Sequence, residues 1–227
     1  MADLVFPAPQ PVLIPVAGGG FFPVRRVYCV GRNYAEHIRE MGNDAREPPF
    51  FFAKPADAVV IDGAPIAYPP QTRDLQHEIE LVVAIGKDGA NIGEHAALEH
   101  VFGYAAGLDM TRRDLQAEAK KAGRPWSMAK GFDQSAPVGT IAPAKAIGHP
   151  ATGAITLSVN GAERQRGDLG DQIWSVPETI AYLSRLVTVR AGDLILTGTP
   201  AGVSPVRRRD VLEGNIEGVG TVSTVIG

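Results

Sequence analysis

The stretch LQHEIELVVAIGK, residues 75–87, places two glutamates in a run whose apolar content reads as a buried strand. A strand turns residues two apart to the same face, so Glu78 and Glu80 point together while His77, Ile79 and Leu81 point the other way. Their Cα atoms would lie roughly 6–7 Å apart, twice the rise per residue. Val82, Val83, Ala84 and Ile85 carry the strand on into a core, where unpaired carboxylates would cost several kcal/mol. Either the glutamate face is solvated, the usual polar-out alternation, or something cationic lies nearby. The remainder of the chain decides between the two.

At 227 residues and 44% hydrophobic content, the chain can bury one large core or two small ones. A net charge of −3 gives no electrostatic footprint for nucleic acid, and the basic run Arg207–Arg209 is followed by Asp210 and Glu213, so it reads as a solvated turn. Cys29 is the single cysteine, which excludes an internal disulfide and a cysteine-rich zinc site. Its neighbours Val27, Tyr28 and Val30 suggest a buried structural thiol. No apolar run approaches the ~18 residues of a membrane span, and the opening lacks the basic-then-apolar layout of a signal peptide. A cytoplasmic protein with neither membrane nor nucleic-acid partner is expected.

Residues 1–23, rich in Pro and Gly, read as an extended arm or edge strands, with Gly18–Gly20 as a turn. VRRVYCVG then forms a strand leading to RNYAEHIREMGN, a short helix capped by Asn33, boxed by Glu36 and stopped by Gly42. Tyr34, Ile38 and Met41 make its inward stripe. IGEHAALEHV reads as a helix, FGYAAGLDM as a strand, and RRDLQAEAKKAG as a helix opened by Thr111 with Asp114 as capping partner. Asn160-Gly161 marks a hairpin. Ser175 and Glu178 form a capping box that opens a helix over ETIAYLSRL, and the tail returns to strand. Strands and helices do not alternate regularly, which argues against a doubly wound sheet. One β-rich α+β domain over residues 24–227 is the simplest organisation.

Asp109 closes an apolar strand. Alone it is an ordinary turn or cap residue; joined to Glu78 and Glu80 it completes a cluster of hard oxygens that suits Mg²⁺ or Mn²⁺, or Ca²⁺, better than zinc. Arg113 and Gln116 share one helix face near Asp109. Lys130 lies in apolar surroundings, where a lysine either snorkels to solvent or meets a carboxylate or substrate. His37 and Glu40, three residues apart, are either a solvated surface pair or a dyad in which the carboxylate orients an imidazole that takes a proton from water.

GRNYAEHIREMG, HEIEL, GLDMTRRDLQ, PWSMAKGFD and LTGTPAGVSPV follow one another in the order and spacing of the fumarylacetoacetate hydrolase family. Together they cover nearly the whole chain from about residue 24. RRVYCVGRNYAEH and REPPFFFAKPADAV make the chain most similar to the short bacterial fumarylpyruvate hydrolases, and it also resembles the acylpyruvase and oxaloacetate decarboxylase branch. The resemblance implies a mixed β-roll, usually a homodimer, with Mg²⁺ or Mn²⁺ held by Glu78, Glu80 and Asp109. It also implies His37 and Glu40 as a water-activating dyad on a lid, Arg113, Gln116 and Lys130 as substrate or oxyanion contacts, and Thr199 as a contact to the substrate carboxylate. Long members add a fourth acidic ligand, which this chain lacks around Val30 and Gly31. The implied reaction is hydrolysis of a C–C bond in a β-diketo acid such as fumarylpyruvate. Arg32, Arg113 and Lys54 are the candidates for reading its far carboxylate. The rival expectations are an acylpyruvase, an oxaloacetate decarboxylase and, more remotely, a metal-binding protein without catalysis.

Overall fold

The structure is a computed structural model, and it describes residues 4–34 and 47–227. Strands dominate. A hairpin of β1 (Leu13–Pro15) and β2 (Phe21–Pro23) precedes β3 (Arg26–Gly31), β4 (Phe50–Lys54) and β5 (Val59–Ile61). Next come β6 (Leu75–Gln76), β7 (Ile79–Ile85), β8 (Val101–Leu108), β9 (Thr111–Arg112), β10 (Ala136–Val138) and β11 (Ala142–Pro143). The chain closes with β12 (Ala154–Val159), β13 (Ala162–Asp168), β14 (Asp193–Leu196), β15 (Val211–Ile216) and β16 (Gly220–Val225). The α-helices among the described residues are α1 (Arg113–Lys121), α2 (Ser127–Lys130), α3 (Ala144–Ile147) and α4 (Val176–Leu186).

The larger sheet has eight strands in the order β4-β3-β14-β7-β8-β10-β5, with β11 also pairing β8. It is mixed: β3 with β14 and β10 with β5 run parallel, the other pairs antiparallel. A second, antiparallel sheet, β13-β12-β15-β16, packs against it. The result is the expected β-rich α+β architecture, a mixed roll and sandwich with a few short helices.

The central strand β7 shows why the core is legible as an uninterrupted apolar run. Ile79, Leu81, Val83 and Ile85 face the core shared with Ile155, Leu157, Leu212 and Val222 of the second sheet. Val82 and Ala84, on the other face, join Ile14, Phe22, Val27 and Leu196 in a second apolar cluster. With both faces covered, alternation disappears. Glu78 and Glu80 belong by register to the Val82 face, at the end where that cluster stops.

Local readings were met where the signal was local. Asn160 and Gly161 turn between β12 and β13 with φ of 53° and 77°. The N–H and hydroxyl of Ser175 both donate to Glu178 Oε2, opening α4. Cys29 is buried, and burial pushes its thiol well above the usual range. Tyr34 packs into the main core, whereas Ile38, Met41 and the rest of the expected helix lie outside the described residues.

Three expectations are corrected. Residues 75–87 are not one strand: β6 pairs with β9, the chain breaks at His77–Glu78, and β7 resumes in the large sheet. Beside the break the Ile79 N–H is taken by Gln165 Oε1 at 3.1 Å. Thr111 lies in β9 and α1 begins at Arg113, while Asp114 holds Thr72 and the Arg73 N–H. Glu94–His100 is a 3₁₀ segment rather than an α-helix. The Asn33 side-chain oxygen accepts from Trp174 N–H at 2.8 Å and its amide donates to the Trp174 and Thr197 carbonyls, while the helix it was expected to cap lies outside the described residues.

Candidate metal centre

Backbone pairing assembles the site. Ile79 stands opposite Leu108 and Glu80 opposite Gly107 in the β7–β8 ladder. Asp109 follows β8, and its N–H donates to the Glu78 carbonyl at 2.9 Å, which draws the third acid beside the other two. A Cβ on Gly107 would lie 2.4 Å from Val82 Cγ2, so a side chain has no room across from Glu80. One oxygen from each of Glu78, Glu80 and Asp109 then falls within 4.8 Å of the others, and all three residues are buried.

Three cations surround them. Lys130 Nζ donates to Glu78 Oε2 at 2.8 Å, Asp109 Oδ2 at 2.6 Å and Thr111 Oγ1 at 2.6 Å. Lys54 Nζ lies 2.8 Å from Asp109 Oδ1 and donates to the carbonyls of Met110 and Lys130. Arg113 spreads its guanidinium over Gln76 Oε1 at 2.9 Å, Gln116 Oε1 at 2.7 Å and Glu78 Oε1. Glu80 is the exception, because its one hydrogen bond among the described residues comes from the Gly198 N–H at 2.7 Å.

The electrostatics follow this asymmetry. Burial first, then the charges of Asp109 and Glu78, push the Glu80 carboxyl well above its usual range. Burial acts in the same direction on Asp109, but Lys130 and Lys54 together outweigh it and hold that carboxyl low. Burial opposes the Lys130 charge, and Asp109 and Glu78 more than restore it. The opening stretch thus takes the cationic branch: its glutamates are not a solvated face.

The donor set fits a divalent cation. Its three carboxylates, with no His or Cys, are hard oxygen ligands of the kind Mg²⁺ and Mn²⁺ take. Asp109 Oδ1, although close to Lys54, has no hydrogen bond aligned on it, and Glu80 has lone pairs to spare. The strand end Val30–Gly31 adds no acid.

Other expected residues are placed as follows. Thr199 is half-buried in the turn whose preceding residue donates to Glu80, so it lies beside the triad. Gln116 is buried against Arg113. Arg32 is exposed at the end of β3 with φ 57°. Lys54, expected as a candidate for a far carboxylate, is instead committed to Asp109, because its side chain is fully buried there. His37 and Glu40 lie outside the described residues. Sequence reasoning missed Thr111 and the Gly198 N–H as parts of the site. It also missed Lys120, which shares the Arg113 and Gln116 face of α1 at seven-residue spacing. Partial burial, then Arg32 and Arg113, lowers the Lys120 ammonium from its ordinary range.

Because Lys130 touches two buried carboxylates, Lys130→Met should destabilise the metal-free protein by about 3–5 kcal/mol, the usual cost of leaving a buried charge uncompensated. Saturating Mn²⁺ should recover part of that loss. Thermal unfolding with and without metal measures both; an unchanged midpoint in the metal-free variant would contradict the ion-pair reading.

The fumarylacetoacetate hydrolase C-terminal family model matches residues 26–226. A crystal structure of fumarylpyruvate hydrolase from Pseudomonas aeruginosa, in complex with Mn²⁺ and pyruvate, is 53% identical, covers 99% of both chains and superposes with a TM-score of 0.94. The mitochondrial oxaloacetate tautomerase of Mus musculus is 46% identical over 195 residues, 86% of this chain and 88% of its own. The mitochondrial oxaloacetate decarboxylase of Dictyostelium discoideum is 41% identical over 198 residues, 87% of this chain and 91% of its own. A buried Glu-x-Glu and Asp centre on this fold, matched along almost the full length of the chain, makes it a member of the fumarylacetoacetate hydrolase family.

Proposed function

We propose that the chain is a divalent-metal-dependent enzyme acting on short dicarboxylates that contain a pyruvoyl group, and that it hydrolyses fumarylpyruvate to fumarate and pyruvate. The observation that carries this reading is the charge balance of the centre. Lys54, Lys130 and Arg113 already match the formal charge of Glu78, Glu80 and Asp109. A divalent cation therefore leaves the buried centre with excess positive charge, which favours a substrate carrying carboxylates. The relative that holds Mn²⁺ and pyruvate supports the same chemistry.

When bound, the cation supplies Lewis-acid polarisation of the substrate's pyruvoyl oxygens. Thr199 donates to the substrate carboxylate. His37, oriented by Glu40, takes a proton from a water that adds to the fumaroyl carbonyl. Gln116, with the charges of Lys130 and Arg113 acting through space from the acids they hold, stabilises the negative charge that develops there. The C–C bond then breaks, its electron pair goes to the carbon that becomes the pyruvate methyl, and the proton held by His37 completes that methyl.

A second reading is favoured by the oxaloacetate-processing relatives. Oxaloacetate is also a dicarboxylate with a pyruvoyl group, and neither its tautomerisation nor its decarboxylation needs an attacking water. The far end of the substrate separates the two. Fumarylpyruvate carries its second carboxylate beyond a rigid double bond, and its burial requires a cation. Lys54 and Arg113 are engaged with the triad; among the described residues, Arg32 and Lys120 are the cations proposed for that role.

The test is kcat/KM for fumarylpyruvate, maleylpyruvate, acetylpyruvate and oxaloacetate with one metal-loaded preparation. Acetylpyruvate, which leaves the far cation unpaired, should fall behind fumarylpyruvate by roughly 10²-fold or more. Acetylpyruvate at parity would point to an acylpyruvase. Oxaloacetate turned over faster than fumarylpyruvate would establish the second reading.

A further inference from the structure

We infer that Gln165 is a positioning residue that fixes the Thr199 hydroxyl as a hydrogen-bond donor to the substrate carboxylate, at the end of a one-way chain running Ser204, His77, Gln165, Thr199. The inference rests on the proposed role of Thr199 and adds what determines its polarity.

Gln165 projects from β13 and is 1% exposed. Two backbone groups settle which end of its amide is which. The Ile79 N–H can only donate, and it meets Oε1 at 3.1 Å; the Pro200 carbonyl can only accept, and it meets Nε2 at 2.9 Å. A flipped amide would set donor against donor and acceptor against acceptor at both contacts. The remaining two bonds inherit that direction. His77 Nδ1, 2.8 Å from Oε1, must carry the ring proton toward Gln165, which leaves Nε2 facing the Ser204 hydroxyl at 2.9 Å. Thr199 Oγ1, 2.8 Å from Nε2, must accept.

A hydroxyl that accepts from one side keeps its own proton for another partner. Among the described residues, Thr199 Oγ1 makes no hydrogen bond other than that from Gln165. The adjacent Gly198 N–H is spent on Glu80, so the half-buried turn presents the Thr199 proton at the rim of the triad. Bonds aligned head to tail polarise one another, which strengthens the terminal donor. A carboxylate is its natural partner, and the Gln165 Nε2 bond blocks the reverse arrangement, in which the hydroxyl would turn inward.

The test is a double-mutant cycle read as pyruvate affinity by calorimetry in saturating Mn²⁺. Thr199→Val should weaken pyruvate binding by about 10- to 100-fold, the scale of one hydrogen bond to a charged group. Gln165→Glu keeps the acceptor toward Ile79 and His77 but draws the Thr199 proton inward, so alone it should weaken pyruvate by a similar factor. Added to Thr199→Val it should cost no more than about 2- to 3-fold, since the donor it orients is already gone. Gln165→Met, which holds length without a donor, provides a second cycle if the glutamate variant folds poorly. Losses that multiply fully in both cycles would assign Gln165 a general structural role and overturn the inference. Thr199→Val with parental affinity would overturn it as well, while leaving the metal and pyruvate reading intact. Failure of the parent protein itself to bind pyruvate would defeat the underlying reading instead.

Discussion

Glu80→Gln should eliminate measurable Mn²⁺ binding and lower turnover by roughly 10³-fold or more, the loss expected when several kcal/mol of Lewis-acid stabilisation disappear. The protein should nonetheless fold at least as well as its parent. Glu80 is the acid whose charge its surroundings disfavour, through burial and two neighbouring carboxylates, and the Gly198 N–H can donate to an amide oxygen as well as to a carboxylate. Asp109→Asn should lose the metal equally but at a cost in stability of about 3–5 kcal/mol, because Lys54 would lose its buried counter-charge and Lys130 would keep only Glu78 of its two. Calorimetric titration with Mn²⁺ and denaturant unfolding of the metal-free proteins read the two effects separately. Parental metal affinity in both variants would disprove the site. A Glu80→Gln variant as unstable as Asp109→Asn would disprove the distinction between the two acids.

His37→Ala should reduce fumarylpyruvate hydrolysis by roughly 10²- to 10⁴-fold, the contribution of a positioned general base. Metal affinity should not move, since Glu78, Glu80 and Asp109, the acids expected to hold the metal, are all left in place. The same variant assayed on oxaloacetate divides the two functional readings. Decarboxylation requires no water to be activated, so it should fall far less than hydrolysis does. Equal losses in both reactions would mean that His37 handles a proton common to them, such as the one that completes the pyruvate methyl, and the water-activation role would have to be given up.

What could be read from sequence was what depends on neighbours in the chain. Glu78 and Glu80 are two residues apart on any extended backbone, and Asp109 ends the apolar run that pairs with them. The Ser175–Glu178 capping box and the Asn160-Gly161 turn each need only a few residues to form. The features that escaped depend on partners far along the chain. At the break by His77–Glu78 the Ile79 N–H goes to Gln165, and the Asn33 side chain is bound to Trp174 and Thr197. Lys54 sits in FFFAKP, where an isolated lysine in an aromatic run signals either an exposed edge or a buried counter-charge, and only the fold brings Asp109 within 2.8 Å of it.

Glu78, Glu80 and Asp109 lie in or directly beside two neighbouring strands in the middle of the large sheet, β7 and β8, and the opposite face of β7 belongs to the main core. Arg32 and Lys120, the side chains suited to the far end of a substrate, are by contrast exposed: one follows β3 and the other belongs to the last turn of α1. The acid centre is therefore built into the sheet itself, whereas the side chains proposed for the far end of a substrate stand outside it. A laboratory selection for a different dicarboxylate should collect its substitutions around residues 32 and 116–126 and leave β7 untouched. Descendants of such a chain would exchange substrates many times before they could exchange the metal.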